Sequence, residues 1–317
     1  MISFSCSLLG SAEDDERYWS MTDYEGAIAR WCPGCGDHAV LTAVERLLET
    51  EQLPPEQTVF VSGIGCSSRF PHYLKTYGFH GLHGRALPVA TGVKLRRPDL
   101  HVFAVMGDGD CCSIGGGHWI HTTRYNPNIV AIMLDNGVYG LTKNQTSPTS
   151  PRGWKSNTQP RGALLTPMNP IATTLGVANA SFVAQTGDWV PDHIYETIKA
   201  AYHHRGFAFV RILQRCPQYT DALFASAVRD PNQMELLVHP DGIHAPDAEG
   251  YIKNQLPHDP SDLVQAFRLA QLDGKIRLGL FYRNENAPVY EEVRAVPPKS
   301  AEEKVKLLNE ELDQYAL

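Results

Sequence analysis

The stretch that most constrains the fold runs from His101 to Gly140, HVFAVMGDGDCCSIGGGHWIHTTRYNPNIVAIMLDNGVYG. Val102 to Met106 is a continuous apolar run closed by Gly107, the pattern of an inner strand in a parallel sheet covered on both faces. Cys111 to Tyr125 is the only segment of this stretch long enough for a crossover helix, and Asn126-Pro127 stops it. Ile129 to Leu134 reads as the next parallel strand. Strand, helix and strand together match the roughly 30 residues of a βαβ unit. Asp108 and Asn136 are therefore expected at the carboxyl ends of neighbouring strands, the edge where open parallel sheets bind ligands.

Asp108 lies between Gly107 and Gly109, which let a ligand approach the backbone, and a helix N-terminus follows. That combination suits a diphosphate. The Asp108 carboxylate, the Asn136 amide oxygen and a nearby backbone carbonyl are hard donors that, with phosphate oxygens and water, make an octahedral Mg²⁺ site. Taken singly, each half reads as an ordinary turn, one a Gly-rich corner with a capping Asp and the other Asn136-Gly137. Their occurrence in one βαβ unit favours the binding site. The spacing resembles the thiamine diphosphate motif, GDG followed after a crossover helix by Asn. That resemblance implies that Asp108, the Asn136 side chain and the Val138 carbonyl hold the metal.

At 317 residues and 43% hydrophobic content the chain can bury a large core. A formal net charge of -7 argues against a nucleic-acid binder. There is no apolar run of about 18 residues, so no membrane span is expected. The N-terminal stretch lacks the basic segment of a signal peptide, and a cytoplasmic location is the expectation.

In chain order, residues 1–28 show no periodicity and are expected to form an extended arm. In RWCPGCGDHAVLTAVERLLETEQ, Asp37 is placed to cap a helix whose Val40, Val44, Leu47 and Leu48 share one face. Thr58 to Ser62 reads as the first buried strand and ends in GIGCSSR. Ala86 to Leu95 reads as a helix, with His83 and Arg85 in the loop before it. The segment LTKNQTSPTSPRGWKSNTQPRG is long for a passive connection and is expected to cover a ligand. Pro170 to Leu175 and Asp192 to His204 read as helices, Ala178 to Val183 and Phe207 to Leu213 as strands. Residues 220–317 hold a weak polar helix, a short helix QAFRLAQL, a strand-like LGLFYRN and an amphipathic terminal helix. They read as an extension packing on the core or on a partner.

The seven cysteines are an odd number and an unlikely disulfide framework for such a chain. Cys32, Cys35, Cys66 and Cys216 each lie in a loop beside Gly or Pro, and the last two follow strands expected to be neighbours. Four convergent thiolates suit Zn²⁺ or a [4Fe-4S] cluster, and a redox dithiol at CPGC stays open. Cys6, Cys111 and Cys112 lack this setting and read as ordinary residues.

CPGCGDH, IGCSSRF, LHGRALPVATG, GDGD with LDNGVYGLTKNQTSPT, and RCPQ, in this order, resemble the beta subunits of the 2-oxoacid:ferredoxin oxidoreductases. The likeness covers about residues 30–220. It implies an α/β fold of the thiamine-diphosphate-binding type, a mostly parallel doubly wound sheet with helices on both faces in residues 29–219. It implies that Cys32, Cys35, Cys66 and Cys216 bind one [4Fe-4S] cluster. It also implies that Ile64, Gly65, Cys66, Ser67, Gly109, Asp110, Gly140 and Leu141 contact thiamine diphosphate, and that His83 of the HGR stretch does so too.

The activity implied is CoA-dependent oxidative decarboxylation of a 2-oxoacid, with electrons passed to ferredoxin and reversal by reduced ferredoxin. The acid that activates the thiazolium is expected from a partner alpha subunit, in a dimer of alpha-beta pairs. The 2-oxoglutarate-preferring members resemble this chain in GLTK and in a basic residue three after the third cysteine, here Lys143 and Arg69; either cation suits a second carboxylate. In place of the commoner GLTKGQ the chain has Asn144. The alternatives are a pyruvate- or branched-chain-specific relative, a thiamine enzyme whose cysteines hold zinc, and a non-catalytic subunit.

Overall fold

The computed structural model describes residues 17–271, 273–295 and 299–315. Cys6 and the first part of the expected arm lie outside them. Eleven strands are met in chain order: β1 Thr58–Ser62, β2 Tyr77–His80, β3 His101–Gly107, β4 Ile129–Asp135, β5 Val138–Tyr139, β6 Gln145–Thr146, β7 Phe182–Gly187, β8 Phe207–Leu213, β9 Met234–Val238, β10 Gln255–Pro257 and β11 Ile276–Arg283. Among the described residues nine of them form one sheet in the order β10-β9-β11-β7-β8-β4-β3-β1-β2, and β5 and β6 pair separately. Every pairing in the large sheet is parallel except β11 with β7. The fold is α/β, and the strands of the central βαβ unit pair as expected, Phe103 opposite Val130 through Gly107 opposite Leu134.

Side chains of the inner strands alternate between two separate cores, as strand geometry dictates. Phe60, Phe103, Val105 and Ile132 point to a face covered by helices Asp37–Thr50 and Pro191–His203 through Val44, Leu48, Ile194 and Ile198. Val61, Ala104, Met106 and Met133 point to the other, against Leu87, Ala90 and Trp119 of helices Ala86–Arg96 and Gly116–Tyr125. Because both faces are covered, the inner strands carry no polar alternation.

The structure departs from the sequence reading in several places. The crossover is a π-type turn, Asp110–Ile114, followed by helix Gly116–Tyr125, which Asn126 ends in the left-handed conformation at φ 53°. Such turns recur at binding sites because they reorient side chains at a helix start. The strand expected at Ala178 to Val183 begins at Phe182, where pairing to Ala208 starts; Asn179, at φ 72°, turns the chain before it. Strand β2 escaped the pattern because all four of its residues are exposed at the sheet edge. Asp37 does not cap its helix: Gly36 holds that position and Asp37 is the buried first helical residue.

The strands before Cys66 and Cys216, β1 and β8, are not neighbours, since β3 and β4 run between them. The described part of the arm is anchored rather than extended, for Tyr24 is fully buried in a short helix, its hydroxyl 2.9 Å from the carbonyls of Leu48 and Leu53. Residues 220–317 contribute β9, β10 and β11 to the sheet itself. No helix among the described residues is long and apolar enough to cross a membrane.

Phe103 is fully buried and stacks on Phe60 with centroids 4.7 Å apart. Phe103→Ala is expected to cost about 3–5 kcal/mol; denaturant titration reads this, and a loss under 1 kcal/mol would contradict the packing described.

Candidate functional site

A cleft opens at the carboxyl ends of β1, β3 and β4. Ile64, Gly65, Cys66, Ser67, His83, Asp108, Gly109, Asp110, Asn136, Val138, Gly140 and Leu141 all line it, so every diphosphate and metal position expected from the sequence meets there. Lys143 is exposed, just past the lining residue Thr142, and does not line it. Arg69 does not line it either, its Nη1 3.4 Å from the Arg30 carbonyl and its guanidinium over the Tyr73 ring. Lys143 and Asn144 both adopt left-handed backbone, φ 71° and 65°. Asn is among the residues that tolerate this conformation best, so the chain needs no Gly at position 144.

Asp110 ties the loops around the cleft. Its Oδ1 accepts from the backbone N–H groups of Ile64 at 3.1 Å and Gly84 at 2.6 Å and contacts His83 Nδ1. Its Oδ2 is buried without a partner, against Gly63, where a Cβ would lie only 2.0 Å away. At Gly109 a Cβ would lie 2.1 Å from the Tyr139 ring, so only glycine leaves that wall in place. The cleft therefore has a floor of backbone and small residues, which suits a diphosphate.

Asp108 is 2% exposed and faces a second buried carboxylate, Asp135. The Thr149 hydroxyl stands between them, 2.6 Å from Asp108 Oδ2 and 2.7 Å from Asp135 Oδ1. One hydroxyl hydrogen cannot serve both oxygens. Arg211 neutralises Asp135 through Nε at 2.8 Å and Nη2 at 2.6 Å. Asp108 has no such cation, and burial first, then the charge of Asp135, push its carboxyl upward. A buried carboxylate in want of positive charge, beside an amide and a carbonyl, is the donor chemistry of a Mg²⁺ site. The Asn136 oxygen accepts from Val138 N–H at 3.1 Å, while its amide nitrogen is taken up by Gln214.

The four loop cysteines come together from three loops. Gly36 N–H donates to the Arg215 carbonyl at 3.2 Å, joining the CPGC turn to the chain after β8. Trp31 Nε1 donates to the Cys66 carbonyl at 2.7 Å, joining it to the loop after β1. These loops thus reach each other over the ends of β3 and β4, which is how cysteines on separated strands meet. At Gly140 a Cβ would lie 3.9 Å from Cys66 Sγ and 4.0 Å from Cys216 Sγ. Burial pushes the Cys66 thiol up to about 12, with Asp37, Cys216 and Cys32 adding to it. Burial raises Cys35 as well, aided by Asp37, Cys216 and Cys66.

Asp37 sits beneath this group with neither carboxyl oxygen hydrogen-bonded, and burial pushes it up to about 7. Cys32 is exposed, whereas Cys111 and Cys112 are buried at the crossover start. Among the described residues no three His, Cys, Asp or Glu side chains close round one point as ligands of a single ion do. The sequence reading passed over Asp135, Thr149, Arg211 and Gln214. Asp135 adjoins Asn136 and Gln214 lies two residues before Cys216, but Thr149 and Arg211 become visible only once the sheet edge is assembled.

Two family models match the chain. Residues 63–212 match the thiamine pyrophosphate enzyme C-terminal TPP binding domain, and residues 250–297 match the C-terminal region of the pyruvate ferredoxin oxidoreductase beta subunit. A 2-oxoglutarate oxidoreductase subunit KorB of Mycobacterium tuberculosis is 50% identical over 195 residues, 62% of this chain; the match spans about half, 52%, of that relative. A 2-oxoacid:ferredoxin oxidoreductase subunit beta of a Sulfolobus species is 39% identical over 266 residues, 83% of this chain and 84% of that one. Among solved structures, a 2-oxoglutarate:ferredoxin oxidoreductase from Magnetococcus marinus, with 2-oxoglutarate, coenzyme A and succinyl-CoA bound, superposes with a TM-score of 0.77. It is 35% identical, over 91% of this chain and 96% of that one.

Thr149→Val keeps the shape between Asp108 and Asp135 but removes the hydroxyl. The expected loss is about 1–3 kcal/mol, the cost of leaving a buried polar group unpaired. A denaturation midpoint equal to wild type would show that the hydroxyl does not mediate between the carboxylates.

Proposed function

The chain belongs to the beta subunits of the 2-oxoacid:ferredoxin oxidoreductases, and from that premise we propose that it holds thiamine diphosphate with Mg²⁺ in the cleft and one [4Fe-4S] cluster on Cys32, Cys35, Cys66 and Cys216. With an alpha subunit it converts 2-oxoglutarate and coenzyme A to succinyl-CoA and CO₂, passing electrons to ferredoxin. The observation that carries this reading is Gly140, which lines the cleft of Asp108 and Asn136 and where a Cβ would lie 3.9 and 4.0 Å from two of the four sulfurs. An oxygen-donor site and a sulfur-donor site thus share one wall.

Thiamine diphosphate, when bound, supplies the carbon nucleophile and the electron sink for loss of CO₂. The residues of this chain position it. Asp108, the Asn136 oxygen and the Val138 carbonyl hold the metal, and the Asp108 charge that burial disfavours is the one a dication restores. Asp110 fixes the loops of Ile64 and His83 at the cofactor. Gly109 keeps Tyr139 against the wall. Lys143, near the rim and free of ion pairs among the described residues, meets the second carboxylate of the substrate. Arg69, three residues past the cleft-lining Cys66, is the second cation proposed for that carboxylate. Residues 29–219 form the cofactor-binding unit, residues 220–317 complete its sheet, and the activating carboxylic acid comes from the alpha subunit.

Two measurements test this. The isolated chain is expected to turn over no 2-oxoacid, and measurable oxidation without the alpha subunit would contradict the division of labour. In the complex, Lys143→Ala is expected to lower the preference for 2-oxoglutarate over pyruvate roughly tenfold or more, the scale of a lost charge-assisted hydrogen bond. An unchanged ratio of kcat/KM values would remove Lys143 from substrate recognition.

A further inference from the structure

Gln214 joins the two donor sets. It follows β8 directly, is 1% exposed, and its backbone N–H donates to the Asp135 carbonyl at 2.9 Å, carrying the β4 pairing one residue past the strand. This fixes its side chain between the residue after β4 and the CPGC loop. Its Oε1 accepts from Asn136 Nδ2 at 2.7 Å. Its Nε2 donates to the Arg215 carbonyl at 2.5 Å and to Cys35 Sγ at 3.2 Å.

The amide has one orientation. Turned end over end, it would face the Asn136 amino group with its own and present its oxygen to the Arg215 carbonyl, so that both of these contacts would pair like with like. The direction of hydrogen bonding is therefore continuous from Cys35 to the cleft. Gln214 gives a hydrogen to the sulfur and receives one from Asn136. With its amino group so engaged, Asn136 presents its oxygen on the side where Val138 N–H also meets it.

We infer that Gln214 is a positioning residue for both centres, its amide holding the Asn136 oxygen toward the metal while its N–H group sets the charge on the Cys35 sulfur. The inference rests on the proposed roles of Asn136 and Cys35. An N–H donor on a cluster thiolate favours the reduced, more negative state and raises the reduction potential. A partner that orients a metal ligand commonly contributes 10–100-fold to metal affinity. Gln214 does both from one side chain, and among the described residues no other hydrogen-bonds to both Asn136 and Cys35 through its side chain.

The test uses the complete alpha-beta complex, purified without oxygen, and two readouts that need no turnover. One is the midpoint potential of the cluster by spectroscopic redox titration; the other is the Mg²⁺ concentration needed to retain thiamine diphosphate. Gln214→Leu is expected to shift the potential to more negative values and to weaken Mg²⁺ retention 10–100-fold. Gln214→Glu is close in shape, which keeps the test readable if the leucine variant fails to fold. It can still accept from Asn136 but puts a carboxylate oxygen at Cys35, so the potential falls while Mg²⁺ retention stays near wild type. A wild-type potential in both variants, or wild-type Mg²⁺ retention in Gln214→Leu, would overturn the joint role. A wild-type complex lacking iron would instead overturn the cluster assignment beneath it.

Discussion

Everything at the site depends on the parallel pairing of β3 with β4. Five consecutive residue pairs, Phe103 with Val130 to Gly107 with Leu134, fix the two strand ends level with each other. In that register Asp108 leaves the sheet level with Asp135, one residue before Asn136. A shift of one residue would turn every inner side chain to the opposite core. The two buried faces make such a shift costly, so the geometry of the oxygen donors is set by apolar packing far from them. Phe103 and Val105 on one face, and Ala104 and Met106 on the other, hold Asp108 in place.

Upon that frame the chain places charges where burial disfavours them. Asp135 is neutralised by Arg211, whereas Asp108 and Asp37 lack a cation. A buried charge without a counter-charge lowers stability and is kept where it serves a ligand. For Asp108 the ligand is the proposed metal at the cleft. Asp37 lies next to the sulfur set, its two oxygens unpartnered. The loops that carry these groups are cross-linked by hydrogen bonds, Trp31 to Cys66, Gly36 to Arg215 and Thr149 to both carboxylates.

What the sequence makes legible follows from how local its signals are. The apolar runs of β1, β3, β4 and β8 mark buried strands because nearly all of their residues are buried. The GDG and Asn spacing is legible because one βαβ unit fixes it. The four loop cysteines stand out by their Gly and Pro neighbours. Strand order is not local, and placing β1 beside β8 failed for that reason; the cysteines meet through loops that cross two strands. Asp37 looked like a cap because Asp often is one, yet Gly36 takes that place and leaves Asp37 buried. Thr149, Arg211 and Gln214 carry no sequence signal of their own, since each acquires its role from a partner 14 to 179 residues away.

The central claim is that one wall serves an oxygen-donor site and a sulfur-donor site. Elemental analysis of the alpha-beta complex purified anaerobically tests it most directly, with acid-labile sulfide and thiamine diphosphate measured on the same sample. The account predicts four irons and four sulfides on the cysteines of this chain, with one thiamine diphosphate and one magnesium. Zinc in place of iron, or iron with no thiamine diphosphate, would contradict it.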